Sequence, residues 1–202
     1  MSNTFRHLRT IFKHRHQVIR NGFHMGIFWQ CLRHDLSKYG PLEFGESKKH
    51  YRGIGSPVVG DRAAHDYYSR IAIHHTGKNK HHWEYWVDFF QGRLILAPMP
   101  WKYATEMVCD MLSASKTYDP KHFSGHVCLE YFQKRKAYCF IHKATEEYLE
   151  WCFAEYGNNG WKNLKRKLTK KKYAEIQAKY PKVQIIEKLY DLEPLADLSK
   201  YK

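Results

Sequence analysis

Apolar residues in the first thirty positions recur at intervals of three and four, which is the period of one face of an α-helix. The pattern predicts an amphipathic helix over Phe5–Trp29, which Gly22 and Gly26 weaken or end. Its apolar positions include Phe5, Leu8, Phe12, Val18, Ile19 and Phe23. A second short helix is predicted to begin at Phe28 and to run to His34.

Helical patterns and breaks alternate in the next part of the chain. Ser37–Pro41 predicts a turn, and Pro41 suits the first position of a helix over Leu42–Arg52. Residues 53–60 hold three glycines and a Ser-Pro pair, which predict a loop. Ala63–His75 is helical in pattern and is expected to end before Gly77–Lys80. For Trp83–Phe90, apolar periodicity does not distinguish a helix from a strand.

Three longer helices are predicted in the second half of the chain. They cover Trp101–Lys116, His126–Tyr138 and Lys143–Tyr156. Thr145 is placed to cap the third of them. Gly157–Gly160 predicts a linker, after which a strongly basic segment begins.

These elements predict an all-α fold, because no alternating run is long enough to indicate a sheet. The length of 202 residues suits one domain with a tail. We expect a helical domain over residues 1–157 and a basic C-terminal helical extension over 158–202, packed on the domain or trailing from it. The apolar fraction of 43%, with 15 Tyr, 11 Phe and 6 Trp, supplies a core and excludes global disorder.

Several other classes of protein are disfavoured by composition. No stretch approaches the roughly 18 apolar residues that span a bilayer, and Arg6 and Arg9 precede no apolar signal region, so a cytoplasmic location without membrane contact is expected. The five cysteines are odd in number and form no C-x-x-C pair. A disulfide framework and a zinc-thiolate site are therefore not indicated, and the cysteines are expected in the core.

The net charge of +14 raises the question of nucleic acid, because clustered Lys and Arg neutralise phosphates. The excess is uneven along the chain. Residues 161–182 hold nine Lys or Arg and one acid, Glu175, a net charge of +8. This segment is the candidate for a nucleic-acid contact, although a solvated lysine-rich helix explains the same run.

Histidines and carboxylates of the kind that bind metals recur along the predicted helices. In a helical frame such side chains converge from several helices, because each one alone is a weak ligand. The candidates are His14 or His16, His34-Asp35, His74-His75, His81-His82 and Asp110. Asp110 lies in the apolar run Met107–Leu112, where a carboxylate carries a large desolvation cost unless it is paired or bound to a metal.

The order of these residues resembles the HD-domain superfamily, which has an early His, an adjacent His-Asp pair, further histidines and a late Asp. The string His34-Asp35-Leu36-Ser37-Lys38 also resembles the H-D-x-x-K variant of that motif. A closer similarity is to an uncharacterised family of small bacterial and phage proteins, over about His14 to Tyr173. It rests on the strings H-D-L-S-K-Y from His34, H-x-x-x-N-x-H-H-W-x-Y-W from His75, Met99-Pro100, and E-M-x-C-D from Glu106.

The resemblance implies an HD-domain-like helical bundle that holds one or two divalent transition metals (Mn, Fe, Zn, Ni or Co). The Asp of the pair can bridge two ions about 3.5–4 Å apart, and the extra histidines favour a second ion. The implied metal ligands are His16, His34, Asp35, His75, His81, His82 and Asp110, with His81 and His82 not separated. His14 and His16 are too close to point the same way on a helix, and His16 fits the family pattern better.

The resemblance implies a metal-dependent phosphohydrolase with a mononuclear or dinuclear site. Asp35 and Lys38 are expected to take part in hydrolysis of a small anionic phosphomonoester or phosphodiester, such as a nucleotide, with Lys38 offsetting charge on the phosphate. One alternative is a di-iron oxygenase of the same fold, since histidine-rich ligation also suits iron. Another is a non-enzymatic nucleic-acid-binding protein that uses residues 161–182. The sequence leaves the substrate, the metal and the oligomeric state open.

Overall fold

The chain folds mainly as α-helices, which confirms the mostly helical class predicted from the apolar pattern. The computed structural model describes residues 3–187. The helices within this range are α1 (Asn3–Met25), α2 (Phe28–Leu32), α3 (Pro41–His50), α4 (Pro57–Ala64), α5 (Arg70–Lys78), α6 (Trp101–Tyr118), α7 (Gly125–Lys136), α8 (Lys143–Asn159) and α9 (Arg166–Gln177). Two 3₁₀ turns, Leu36–Tyr39 and Trp83–Trp86, lie between α2 and α3 and between α5 and the first strand.

The main hydrophobic core lies around α6, which packs against both α1 and α8. Val18 of α1, Leu112 of α6 and Phe153 of α8 are fully buried there. Burial of such a side chain stabilises the fold by about 1.5–3 kcal/mol. This core fixes the spacing between α1 and α6, the two longest helices.

A small antiparallel sheet departs from the all-α expectation. It has the order β1 (Val87–Phe90), β2 (Arg93–Leu96), β3 (Gln184–Ile186), with Val87 opposite Leu96 and Leu96 opposite Gln184. Gln91 and Gly92 connect β1 to β2, and both have a positive φ, which is typical of a two-residue type I′ hairpin turn. The strand β1 is four residues long, too short for its alternation to be recognised in the sequence.

The single helix predicted over Ala63–His75 is two helices in the structure. Helix α4 begins inside the predicted loop, with Pro57 in its first turn and the Ser56 side chain accepting a hydrogen bond from the Val58 amide. The backbone then turns through positive φ values at Asp66 and Tyr67. Helix α5 begins after Ser69, whose Oγ accepts a hydrogen bond from the Ala72 amide at 3.0 Å.

Thr145 does not cap α8, contrary to the prediction. The cap is His142, whose Nδ1 accepts a hydrogen bond from the Ala144 amide at 3.1 Å. The Oγ1 of Thr145 instead accepts from the Met99 amide at 3.0 Å, and both groups are buried. Thr145 therefore joins α8 to the segment that precedes α6.

The predicted linker at Gly157–Gly160 is largely helical, because α8 continues to Asn159. Helices α7 and α8 approach closely where Gly125 faces Gly157. A Cβ atom on Gly125 would lie 2.3 Å from the Gly157 nitrogen, so this position requires glycine. The boundary predicted between residues 157 and 158 thus falls inside a helix.

The described part of the basic extension packs on the helical domain. Leu164, Tyr173 and Ile176 are buried in the main core, and the Tyr173 hydroxyl donates a hydrogen bond to the Met99 carbonyl. Strand β3 adds to the edge of β2. The remaining residues of the predicted extension, 188–202, lie outside the described residues.

The cysteines are free thiols, and four of the five are buried. Cys31 and Cys109 belong to the main core, in line with the packing role expected for them. Among the helices of residues 3–187, none has the length and apolar character required to cross a membrane.

His7 is a buried histidine that joins α1 to α3. Its Nε2 lies 2.8 Å from Ser47 Oγ, and its ring stacks on Phe44 with 5.5 Å between the ring centroids. Burial, with a smaller contribution from the Lys38 charge, lowers the pKa of His7 from 6.5 to about 4. His7 is therefore neutral in the folded protein at neutral pH.

The lowered pKa of His7 predicts a loss of stability as the pH falls from about 6.5 to about 4. In this window the unfolded chain binds a proton at residue 7 and the folded chain does not, so acid favours unfolding. Relative to His7→Phe, the wild-type free energy of unfolding should decrease by about 2 kcal/mol between pH 7 and pH 5. Urea denaturation of both proteins at several pH values measures this, because titrations common to both cancel in the difference. A difference that does not change with pH would contradict the prediction.

Candidate metal centre

Side chains from four parts of the chain meet in one cluster between α1, α5 and α6. Helices α1 and α6 lie side by side, which places His14 Nε2 3.0 Å from Asp110 Oδ1. His34 and Asp35 follow α2 and lie against α6. The fourth part is α5 with the loop that follows it: α5 supplies His75, and the loop supplies His81 and His82.

Asp35 lies at the centre of the cluster, and its side chain is fully buried. Its φ of 53° is left-handed, a conformation that Asp tolerates better than most residues with a Cβ. Oδ1 lies 3.4 Å from Nε2 of His75 and 3.4 Å from Nε2 of His81, whereas Oδ2 lies 3.1 Å from Nε2 of His34. The two oxygens of Asp35 thus face two different groups of histidines.

Two sets of four side chains have a geometry that could hold a metal ion, and Asp35 belongs to both. In each set, one nitrogen or oxygen atom from every residue lies within 4.8 Å of the others. The first set is His14, His34, Asp35 and Asp110, and the second is Asp35, His75, His81 and His82. Imidazole nitrogen and carboxylate oxygen suit Mn, Fe and Zn. The arrangement fits two ions that share one carboxylate.

Buried polar atoms that make no hydrogen bond are concentrated in this cluster. Residues 3–187 contain ten buried side-chain nitrogen or oxygen atoms that make no hydrogen bond, and seven of them belong to His14, His34, Asp35, His81 and His82. They include both oxygens of Asp35 and the Nε2 atoms of all four histidines. Among them, His14 Nε2 has an ion-pair contact with Asp110, and Asp35 Oδ2 has one with Lys38. A buried polar atom that lacks any partner costs about 1–3 kcal/mol, and coordination to a cation removes that cost. The residues therefore fit a metal.

Glu106 of α6 fixes two of the histidines from behind. Its Oε1 lies 3.0 Å from Nδ1 of His34 and 3.4 Å from Nδ1 of His81. Its Oε2 accepts a hydrogen bond from Gln30 Nε2 at 2.6 Å. With Nδ1 of each ring held by Glu106, Nε2 of each ring faces the centre of the cluster, as in many metal sites where a carboxylate orients a histidine ligand.

Glu43 of α3 orients two histidines of α5 in the same way. It is buried, and its two oxygens lie 2.7 Å from Nδ1 of His74 and 2.8 Å from Nδ1 of His75. Asn79, which ends α5, donates through Nδ2 to the His75 carbonyl at 2.8 Å and to Ser37 Oγ at 3.0 Å. These contacts tie α5 to the segment that carries Asp35.

The carboxylates of the cluster remain ionised despite their burial. Burial alone would raise the pKa of Asp35 and Asp110. His34 and Lys38 hold the pKa of Asp35 well below its usual range, and His14 and His34 do the same for Asp110. Burial also acts against ionised Glu106, yet hydrogen bonds from His34 and His81 lower its pKa to about 2. The cluster thus offers negative charge to a cation at neutral pH.

The histidines differ in their protonation. Burial lowers the pKa of His14 and, together with the charges of His81 and His75, lowers that of His82 well below 6.5. For His34 burial acts in the same direction, but Asp35, Asp110 and Glu106 together raise its pKa well above 6.5. A neutral ring nitrogen is the form that coordinates, so binding of an ion would displace the proton from His34.

Lys38 lies at the edge of the cluster, and its side chain is 33% exposed. Its Nζ is 2.5 Å from Asp35 Oδ2. Burial opposes the charge of Lys38, but Asp35 and Asp110 raise its pKa above the ordinary value, so the amine stays protonated. Asp110 is also partly exposed, at 19%, and the cluster therefore opens to solvent between these two side chains.

The structure brings together all of the predicted metal ligands except His16. His16 is exposed on α1, and the place expected for it is taken by buried His14. A step of two residues turns a side chain by about 200° around a helix, so only one of this pair can face α6. The structure thus places His14, and not His16, in the cluster. His81 and His82 both lie in the second set, and both point a ring nitrogen into it.

Glu106 is a candidate functional residue that the sequence pattern did not lead us to predict. A signal for it was present, because it precedes Asp110 by four residues within the string E-M-x-C-D. Residues four apart share one face of a helix, so any argument that placed Asp110 in the cluster also placed Glu106 beside it.

Because His14, and not the predicted His16, lies in the cluster, alanine variants of these two histidines form a matched pair. His14→Ala removes one of four side chains from the first set and is expected to lower the metal content from about two ions per chain to about one. His16→Ala should leave the metal content unchanged, because its side chain is exposed on another face of α1. Elemental analysis of both purified proteins measures this. Loss of metal from His16→Ala alone would identify His16 as the ligand. Equal loss of metal from both variants would contradict the assignment of His14 alone.

A separate cluster outside this centre, His50, Asp61 and His65, lies near the surface at α3 and α4. Its polar atoms have protein partners. Ser69 Oγ donates to Asp61 Oδ2 at 2.5 Å, and His65 Nδ1 lies 2.9 Å from the Asp61 carbonyl oxygen. Hydrogen bonding within the protein accounts for this cluster without a metal.

Comparison with models of protein families gives a match over most of the chain. The model of a family described as "Family of unknown function (DUF5662)" matches residues 3–155, a range that contains every residue of the two sets. The resemblance to an uncharacterised family is thereby confirmed, whereas membership of the HD-domain superfamily stays an expectation. No curated protein and no solved structure matches the chain.

Proposed function

The chain belongs to this family of unknown function (DUF5662), and from the geometry of its site we propose that it is a dinuclear metal-dependent phosphohydrolase. The observation that carries the proposal is the pair of four-residue sets that share Asp35, with seven buried atoms between them that make no hydrogen bond. Two ions joined by one carboxylate are the usual arrangement for in-line displacement at phosphorus.

Bound at this site, two divalent ions would lower the pKa of a coordinated water and neutralise charge on the phosphoryl oxygens. The protein supplies the rest. Glu106 and Glu43 orient the histidines of both sets, and the buried carboxylates Asp35 and Asp110 remain ionised. The site is thus preorganised, and little rearrangement is needed when substrate binds.

Lys38 is the residue through which we expect the protein to contact the substrate. Its protonated amine lies where the cluster opens to solvent, next to the carboxylate of Asp35 that belongs to both sets. A phosphate group that enters there meets this cation, which offsets the charge that develops as the ester P–O bond breaks and water adds to phosphorus. The net charge of +14 would help to gather an anionic substrate, either a phosphomonoester or a phosphodiester.

A second candidate function, a di-iron oxygenase, is favoured by the composition of the second set. Three histidines and one carboxylate, His75, His81, His82 and Asp35, suit iron as well as manganese. A third candidate uses the basic helix α9. Arg166 and Lys170 lie over the ring of Trp101, and Lys167 and Lys171 are exposed, a pattern typical of nucleic-acid contacts.

Elemental analysis of the full chain, purified without added metal, tests the proposal first. We expect about two transition-metal ions per chain, and Mn²⁺-dependent hydrolysis of p-nitrophenyl phosphate or bis-p-nitrophenyl phosphate. Iron together with a reaction that consumes dioxygen would favour the oxygenase. A chain that contains no transition metal and binds no Mn²⁺ would overturn both enzyme proposals. Salt-dependent binding of oligonucleotide that Lys167→Gln/Lys171→Gln abolishes would then support the nucleic-acid role.

A further inference from the structure

A cavity of about 340 Å³ lies behind the metal centre, on the side of α6 where Glu106 projects. It is bounded by the end of α2, the segment that follows α5, and the first turns of α6. Its lining consists of Gln30, Arg33, Lys78, Asn79, Lys80, His81, Lys102, Tyr103 and Glu106. The lining is mostly polar and includes four cations.

The four cations, Arg33, Lys78, Lys80 and Lys102, are exposed and lack an acidic partner. No Asp or Glu side chain in residues 3–187 lies within ion-pair distance of any of them. Glu106 is the one acid in the lining, and its oxygens are already occupied by His34, His81 and Gln30. Like charges gathered around a cavity repel one another, and an anionic ligand relieves that repulsion.

Lys102 gives a second reason to expect an anion. It lies in the first turn of α6, where the positive end of the helix dipole disfavours a cation and favours an anion. No acidic residue occupies that turn. The Nζ of Lys102 lies 4.7 Å from the centre of the Tyr103 ring, which holds this amine beside the cavity. The Nζ of Lys80 lies between two rings, 5.9 Å from Tyr103 and 5.4 Å from Tyr85.

The cavity is separate from the metal centre, although the two share a wall. His81 turns its Nδ1 towards Glu106 on the cavity side and its Nε2 towards Asp35 on the metal side. Lys38, which marks the opening of the metal centre, is absent from the lining. A ligand in the cavity therefore meets cations that the proposed hydrolytic reaction does not use.

We propose that this cavity binds a compact polyphosphate group, carrying two or three phosphates, as a second anion site of the protein. Three or four negative charges match the four unpaired cations, and the volume suits a group of this size. The group can belong to inorganic tripolyphosphate or to a nucleoside triphosphate, since both present the same chain of phosphates. The site stands on the cavity and its charges alone, and it holds whether or not the metal centre hydrolyses phosphoesters.

Calorimetric titration of the metal-free full chain with tripolyphosphate tests the proposal, with ATP and adenosine as second and third probes. The pocket variant Lys78→Gln/Lys102→Gln should bind tripolyphosphate at least about tenfold more weakly than the wild type. The control Lys121→Gln/Lys134→Gln removes the same charge from exposed positions elsewhere and should change the affinity by less than about twofold.

Each other outcome is decisive. Equal weakening in both double variants would show that net charge alone attracts the probe, and absence of binding to the wild type would refute the site. Loss of binding in Lys38→Gln, with the pocket variant unaffected, would place the phosphate at the opening of the metal centre instead. Tighter binding of ATP than of tripolyphosphate, with no binding of adenosine, would identify a nucleotide as the source of the phosphates. Binding of oligonucleotide but not of tripolyphosphate would replace the proposal with a nucleic-acid surface.

Discussion

Asp35→Asn is expected to release both metal ions and to lower phosphoester hydrolysis by about a thousandfold or more. Asparagine keeps the shape of the side chain but replaces a charged carboxylate by a neutral amide with one oxygen. Because Asp35 belongs to both four-residue sets, a single change weakens both. In the second set, His75, His81 and His82 would be left without any carboxylate. No other single position is shared in this way.

Metal content per chain and the rate of hydrolysis of bis-p-nitrophenyl phosphate measure this effect. Asp88→Asn is the matched control, since Asp88 is exposed on β1 and lies outside both sets. It should retain the metal content and the rate of the wild type. Circular dichroism shows whether Asp35→Asn is folded. A folded Asp35→Asn protein that retains two ions would refute the bridging role.

Glu106→Gln is expected to weaken metal binding by about 10–100-fold while the number of ions bound at saturation stays the same. Glu106 accepts from Nδ1 of both His34 and His81, and an amide oxygen accepts more weakly than a carboxylate. The rings would lose their fixed orientation and part of their basicity. Glu106 is a positioning residue in this account, since its contacts are with ring atoms that face away from the centre.

Titration with Mn²⁺ separates the two possible roles of Glu106. A positioning residue changes the affinity, whereas a ligand changes the stoichiometry as well. Gln30→Ala, which removes the contact to Oε2, should cause a smaller change in the same direction. Glu130→Gln, on the exposed side of α7, is the control and should have no effect. If Glu106→Gln matched that control, the histidines would have to be oriented by some other contact.

The helices and the order of the site residues could be predicted because both depend on local pattern. The apolar run around Asp110 reflects the period of the helix, and His34-Asp35 is a contiguous pair. On α1 the period predicted the helix but not its buried face, because Phe5, Phe12 and Phe23 of the predicted stripe are exposed. A carboxylate within the apolar run was informative because of its burial cost alone, without any knowledge of its neighbours.

The parts that could not be predicted depend on contacts between distant segments. The choice between His14 and His16 is set by the rotation of α1 against α6, which a mixed three and four spacing leaves undetermined. Strand β3 pairs with β2 across nearly ninety residues of chain, so neither strand has a local signal. The break between α4 and α5 depends on positive φ values at Asp66 and Tyr67, where neither residue is a glycine that would announce a turn.

The left-handed backbone at Asp35 restricts which amino acids that position can accept. Chemistry alone would allow glutamate to bridge two ions, because it carries the same carboxylate. At a φ of 53°, however, glutamate meets a steric cost that aspartate, asparagine and glycine largely avoid. Of the residues the backbone tolerates there, aspartate is the one with a negative charge. The backbone of the turn after α2 thereby restricts position 35 as strictly as a requirement for a carboxylate ligand would. Substitution by asparagine changes the charge at this position and leaves the backbone undisturbed.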